Sequence, residues 1–208
     1  MTVPIDLVRA DFDRIGALMS GAALDRTNRL ALSCVRPMSR SILEVGCGIG
    51  SLSEHLATRT ERLVAIDPSR VMSRLTAKRC PRAEVIQADV LTWRPCERFE
   101  TVIAVAMLHH VALDEGLAKL ASLVAPGGQL VIVDLFAAGF AYSAINAVLQ
   151  MFRSERHGGP ELAAAWAAHG RHEQLPRLRE VRAACLRVVP QAQIRRHLGW
   201  RYSIVATM

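Results

Sequence analysis

Lysine is nearly absent from this chain. Of its 26 basic residues only Lys78 and Lys119 are lysines, so arginine carries the formal net charge of +7. The arginines are scattered, as at Arg9, Arg40, Arg59, Arg82 and Arg153, with a modest cluster from Arg171 to Arg201. No RNA-binding module accompanies them, and the charge reads as a solvated surface rather than a nucleic-acid face. Cysteine also lacks a pattern: Cys34, Cys47, Cys80, Cys96 and Cys185 are odd in number, widely spaced and never form a C-x-x-C pair. That spacing excludes a zinc ribbon or a disulfide framework and points to a reducing cytoplasm. Internal repeats and low-complexity tails are missing. The segment from Met1 to Arg14 carries Asp6, Arg9, Asp11 and Asp13, and so lacks the apolar core of a signal peptide. Long apolar runs are scarce too. The uncharged stretch Leu135 to Phe152 holds Gly139, Ser143, Asn146 and Gln150 and begins where a strand ends, so a lid or substrate-facing helix is expected there and no membrane span. With 208 residues, 51% of them hydrophobic, the chain can bury a substantial core unaided by metal or disulfide.

The segment Ile42-Leu43-Glu44-Val45-Gly46-Cys47-Gly48-Ile49-Gly50 joins an apolar run to an acid and three alternating glycines, and a helix-like pattern from Ser51 to Ala57 follows. Strand, glycine turn and helix bring backbone close to a nucleotide-like ligand, because glycine permits positive φ and presents no Cβ. The dinucleotide fingerprint G-x-G-x-x-G would place its third glycine at position 51, which is Ser51; the spacing here is G-x-G-x-G. Two more apolar runs end in acids. Leu63 to Ile66 ends at Asp67, 21 residues beyond Gly46, and Val85 to Ala88 ends at Asp89, 22 residues further on. Either aspartate alone reads as a helix N-cap or a turn residue; three correctly spaced strand ends together favour a ligand site. Phe99 to Val105 reads as a fourth strand and Gln129 to Asp134 as a fifth, preceded by the turn Ala125-Pro126-Gly127-Gly128. The spans Ser69 to Cys80 and Asp114 to Leu123 suit crossover helices, and the alternation predicts an α/β fold with a doubly wound parallel sheet.

The G-x-G-x-G turn with Glu44 two residues ahead resembles motif I of the class I S-adenosylmethionine-dependent methyltransferases, in their small-molecule form. The resemblance runs from about Ser41 to Phe136. It resumes with a helix from Leu175 to Val189 and strands near Ala192 to His197 and Tyr202 to Met208, and the tract Arg195 to Ser203 is similar to the ending of small bacterial members that modify metabolites. It implies a Rossmann-like seven-stranded sheet, mostly parallel with an antiparallel C-terminal strand, plus a small helical cap. On this reading residues 1–208 form one domain: an N-terminal helical segment (1–40), a cofactor-binding core (41–136), a helical lid insertion (137–174) and a closing helix and strands (175–208). The implied cofactor is S-adenosyl-L-methionine, with S-adenosyl-L-homocysteine as product. The resemblance gives Gly46, Cys47, Gly48 and Gly50 the methionine part, with Glu44 orienting their loop and the helix end after Gly50 favouring the methionine carboxylate. Asp67 would accept the ribose hydroxyls, and Pro68 and Met72 would cover adenine, although Met72 reads equally as core filler. Asp89 and the Val90 N–H would meet the adenine edge, while Ala104 and Val105 would turn carbonyl oxygens to the ammonium.

After the fourth strand the chain reads Ala106-Met107-Leu108-His109-His110-Val111. This departs from the Asn/Asp-Pro-Pro-aromatic pattern of nucleic-acid amine methyltransferases and resembles the Leu-His-His tract of small-molecule members. An imidazole here could take a proton from a hydroxyl, amine or activated carbon. His109 is favoured over His110, which lies farther into the following helix and is more suited to packing; the bland alternative is that both histidines pack. Adjacent histidines do not share a face, so no metal site is expected. The span Phe136 to His172 holds Phe136, Phe140, Tyr142, Phe152 and Trp166. A helix from Ala141 to Phe152, the turn His157-Gly158-Gly159-Pro160 and a helix from Glu161 to His169 would make a hinged cover for a hydrophobic or aromatic acceptor. Leu7, Val8, Phe12, Ile15 and Leu18 recur near helical spacing between Ile5 and Leu24 and predict a helix over the cofactor, or one packed on the sheet. The expected function is methyl transfer to a small molecule in the cytoplasm by a monomer or homodimer. An RNA methyltransferase, a nucleotide-dependent oxidoreductase and a non-catalytic cofactor-binding member are the alternatives.

Overall fold

The computed structural model describes residues 5–19, 24–138, 159–170 and 174–208. Seven strands form one sheet in the order β3-β2-β1-β4-β5-β7-β6. They are β1 (Ser39–Val45), β2 (Thr60–Asp67), β3 (Ala83–Gln87), β4 (Phe99–Val105), β5 (Val124–Leu135), β6 (Gln193–His197) and β7 (Arg201–Thr207). The first five pair in parallel, while β7 runs antiparallel to both β5 and β6. This is the Rossmann-like, mostly parallel sheet with one reversed strand that the sequence predicts.

Strand alternation explains how two layers of helix cover the sheet. Leu43, Val45, Val64, Ile66, Val102, Ala104, Leu130 and Ile132 bury on one face. There they meet α5 (Leu113–Ser122) through Leu117 and Leu120, and α7 (Leu178–Val188) through Val181 and Ala184. Ile42, Leu63, Ile103, Val131 and Val133 bury on the other face, against Ala31 of α2 (Arg26–Cys34) and Leu56 of α3 (Ser53–Leu56). The crossover helix α4 (Arg70–Arg79) starts where its cap predicts, with Ser69 Oγ accepting from the Met72 N–H at 3.0 Å.

Three expectations change on folding. The helix after the glycine turn is a single turn, Ser53–Leu56, and not the run Ser51 to Ala57. A helix this short adds little macrodipole to the backbone N–H groups at its start. The turn at Ala125 to Gly128 lies inside β5 as a register shift between Phe99 and Thr101 of β4, and the Gly127 N–H donates to the Met208 carbonyl. The N-terminal helix α1 (Ile5–Leu18) stops well short of Leu24.

A cap sits on the carboxyl ends of the strands. α1 and α6 (Pro160–Gly170) pack together through Ile15, Leu162 and Ala165, with Met72 of α4 beneath them. Asp13 fastens α1 to α4, accepting from Ser69 Oγ at 2.5 Å and from the Val71 N–H at 3.2 Å. The expected helix Ala141 to Phe152, with Phe140, Tyr142, His157 and Gly158, lies outside the described residues. Phe136 packs into the main core rather than into a lid. Among the described residues no helix is long and apolar enough to cross a membrane.

Candidate active site

Crossovers reverse direction between β1 and β4, and in an open α/β sheet such a switch point leaves a crevice at the carboxyl ends of the strands. A cavity of about 400 Å³ occupies it. The glycine turn forms its floor. Gly46, Gly48 and Gly50 have φ of 76°, 55° and 78°, in the region that favours glycine. Gly48 meets nothing within 4 Å where a Cβ would stand, so its surface is open to a ligand. At Gly50 a Cβ would lie 3.0 Å from the Thr76 Cα, so this glycine lets α4 approach the loop and does not line the cavity.

The loop is strapped on both sides. The Gly46 and Cys47 N–H groups donate to the Ile66 carbonyl, and Thr76 Oγ1 donates to the Gly48 carbonyl at 2.7 Å. The Gly48 N–H donates to Asp67 Oδ2 at 3.0 Å, while the Ser69 N–H donates to Asp67 Oδ1 at 2.8 Å. Asp67 is therefore a turn residue and a cavity residue at once, 7% exposed, and burial pushes its carboxyl up to about 6. Glu44 is buried behind the loop, accepts from Ser53 Oγ at 2.5 Å, and is pushed by burial up to about 8. Burial likewise pushes the Cys47 thiol up, away from thiolate chemistry.

Most of the sequence-predicted ligand residues converge on this cavity: Glu44, Gly46, Cys47, Gly48, Asp67, Pro68, Met72, Asp89, Val90 and Val105 all line it. Gly50 and Ala104 do not. Met72 both lines the cavity and packs under the cap, and Asp89 lines the cavity while accepting from the Leu91 N–H at 3.0 Å. The two histidines exchange places with the expectation. His109 is held behind the wall, its side chain 1% exposed, with its N–H donating to Asp134 Oδ2 at 3.0 Å and its Nδ1 2.5 Å from Asp134 Oδ1. His110 is the one that lines the cavity. Its ring lies 5.5 Å from Phe12 of α1 and 5.2 Å from His169 of α6. His169 in turn is 3.1 Å from Asp11 Oδ2 through Nδ1, so the two cap helices are joined beside His110.

Several lining residues carry no signal that sequence spacing alone reveals. Ala106 follows β4 with φ of 50°, a left-handed conformation that an alanine in sequence does not signal. Asp25 and Asn28, at the start of α2, reach the cavity from across the sheet. Asp134 was findable, since it ends the fifth strand as Asp67 and Asp89 end theirs. Arg201 lies in the C-terminal tract already noted but without an assigned role.

Residues 42–128 match the methyltransferase domain family. An uncharacterised methyltransferase of Mycobacterium bovis (strain ATCC BAA-935 / AF2122/97) is 34% identical over 116 residues, 54% of this chain and 55% of the relative. Trans-aconitate 2-methyltransferase of Paracidovorax citrulli (strain AAC00-1) is 38% identical over 96 residues, 44% of this chain and 37% of the relative. The chain thus spans about half the length of the curated relatives it matches. Among solved structures, magnesium protoporphyrin IX methyltransferase from Synechocystis PCC 6803 with bound SAH is similar with a TM-score of 0.65 and 15% identity, over 97% of this chain and 98% of that one. That likeness is one of fold. The family match covers the core from residue 42 to residue 128, and the seven-stranded sheet that carries it has the fold of that solved methyltransferase.

Proposed function

We propose that this chain transfers a methyl group from S-adenosyl-L-methionine to a small-molecule acceptor. The carrying observation is the pairing of Gly48 with Asp67: an open glycine surface whose N–H orders a carboxylate at the end of the next strand. Each carboxylate oxygen holds one backbone bond and keeps a lone pair for a ribose hydroxyl. Asp89 and Val90, one strand farther along, fit an adenine edge, and Pro68 and Met72 supply apolar cover. Asp67, Asp89 and Asp134 give the cavity an acidic lining that suits a sulfonium and an ammonium. The relatives named above, a trans-aconitate methyltransferase and a methyltransferase holding SAH, support the same reading.

When bound, the cofactor supplies an electrophilic methyl group that needs no covalent help from the protein. This chain's residues do the remaining work. The glycine loop and the end of β4 fix position, α1 and α6 exclude water, and His110 offers a proton acceptor on the cavity wall. His109, gripped by Asp134, positions the turn that carries His110. Phe12, Val111 and Trp166 line the same space and favour a hydrophobic or aromatic acceptor. The five unpaired thiols go with a cytoplasmic setting. Asp67→Ala should weaken S-adenosylhomocysteine binding by about 1.5–4 kcal/mol, the loss of one or two charge-assisted hydrogen bonds, with the fold intact. Calorimetric titration reads this, and unchanged affinity would remove Asp67 from the site.

A further inference from the structure

Among the described residues lining the cavity, Arg201 is the one arginine or lysine, set among the acids Asp25, Glu44, Asp67, Asp89 and Asp134. It stands at the head of β7, opposite Leu135 at the end of β5. Gly199 and Trp200, with φ of 80° and 58°, make the tight turn that delivers it. Its guanidinium spends one bond on that turn, Nη1 donating to the Gly199 carbonyl at 2.7 Å. Its Nε is buried and donates to nothing among the described residues. No carboxylate forms an ion pair with it there, although Asp25 lies close enough to act on it through space. A guanidinium brought out of water with an open donor is costly unless something accepts from it, and the planar fork fits a carboxylate or phosphate.

Topology says which ligand this is. Asp67 ends β2, Asp89 lies two residues past the end of β3, the glycine loop follows β1, and Val105 ends β4, so the proposed cofactor spans those four strand ends. Arg201 lies two strands past β4, roughly 10 Å away at the usual interstrand spacing. We propose that Arg201 is the acceptor-recognition residue of this enzyme and that the acceptor carries an anionic group, a carboxylate or phosphate, beside its apolar body. The inference rests on the S-adenosylmethionine reading, because that reading fills the near end of the cavity and leaves the β5–β7 end for the acceptor. Arg201 would anchor the anion while Phe12 and Trp166 of the cap cover the apolar part. No charge then has to be buried unpaired.

The test uses the full chain saturated with S-adenosylhomocysteine and measures, by calorimetry, the binding of benzoate, phenylacetate and indole-3-acetate beside their neutral primary amides. At least one acid should bind about tenfold more tightly than its amide, the worth of one charge-assisted contact. Arg201→Met should abolish that preference and Arg201→Lys should keep part of it. Both variants should bind S-adenosylhomocysteine within about twofold of the parent, the ordinary scatter of a neutral substitution. No preference for any acid in the parent chain, or a preference that survives in Arg201→Met, overturns the proposal. A second overturning result separates the two anions in play. If Arg201→Met weakens S-adenosylhomocysteine but not 5′-methylthioadenosine, which has no carboxylate, then Arg201 holds the cofactor's own carboxylate. Failure of the parent chain to bind S-adenosylhomocysteine at all would instead sink the methyltransferase reading.

Discussion

The three glycines of the turn share a backbone conformation but do different things, and each is testable on its own. Gly50 faces Thr76 with no room for a Cβ. Gly50→Ala should therefore cost about 1–3 kcal/mol of unfolding free energy, because strain at positive φ adds to the clash. Gly48→Ala meets no protein atom, so its strain should be joined by a loss of ligand affinity. Urea denaturation beside S-adenosylhomocysteine titration separates the two, and equal behaviour of the variants would contradict this division. At the histidines, His110→Ala should slow transfer by roughly 10²–10⁴ with cofactor affinity little changed, since a base acts on the acceptor's proton. Near-normal turnover in a folded variant would leave catalysis to proximity. The glycine turn and the strand-end acids were legible from spacing because a small set of strand ends fixes where a ligand can lie. Histidine order was not, since adjacent residues diverge by about 100° around any helical turn and a distant residue, Asp134, holds His109 away from the cavity.

At the scale of elements, strand alternation and crossover lengths made the strands and their order readable, although β1, β2 and β5 begin three to five residues ahead of the apolar runs that marked them; α4 and α5 fall within a residue or two of Ser69 to Cys80 and Asp114 to Leu123. Short-range exceptions were not readable. α3 is cut to one turn because the loop before it is strapped to β2 and α4, a tertiary constraint with no local signature. The cap depends on a small cluster of its own, Ile15, Met72, Leu162 and Ala165, apart from the main core. Ile15→Ala should therefore loosen α1 and α6 by about 2–5 kcal/mol while leaving the sheet alone. Hydrogen exchange would show faster amides in both helices and unchanged protection in β1 and β4. A uniform change across the chain would mean that cap and sheet are one cooperative unit.

For the molecule as a whole, two buried acids set the pH response. Glu44 rises from 4.5 to about 8 and Asp67 from 3.8 to about 6, so the native state holds protons that the unfolded chain has already released. Stability without ligand is thus fully present below those unfolded values. It falls as pH climbs from 4.5 to about 8 for Glu44, and from 3.8 to about 6 for Asp67. Glu44→Gln should flatten most of that slope, worth about 2–4 kcal/mol between about pH 5 and about pH 8, as read from urea midpoints. Parallel slopes in parent and variant would clear Glu44. Ligand affinity should move the other way: a carboxylate that accepts ribose hydroxyls must be ionised, so S-adenosylhomocysteine binding should weaken as pH drops below about 6.

The strand that is last in sequence is not last in the sheet. β7 lies between β5 and β6, pairing with β5 from Gln129↔Thr207 to Leu135↔Arg201, contacts separated by roughly 70 residues of chain. Until it arrives, β5 presents an open edge and β6 has no place to dock, so closing the sheet depends on a pairing between segments far apart in sequence, the kind of contact whose loop-closure entropy delays it. Arg201 opens that same strand. A chain still waiting for β7 can already have its glycine turn and strand-end acids in place, yet it lacks the one arginine that lines the cavity among the described residues. Maturation would therefore bring competence for the cofactor before competence for an anionic acceptor.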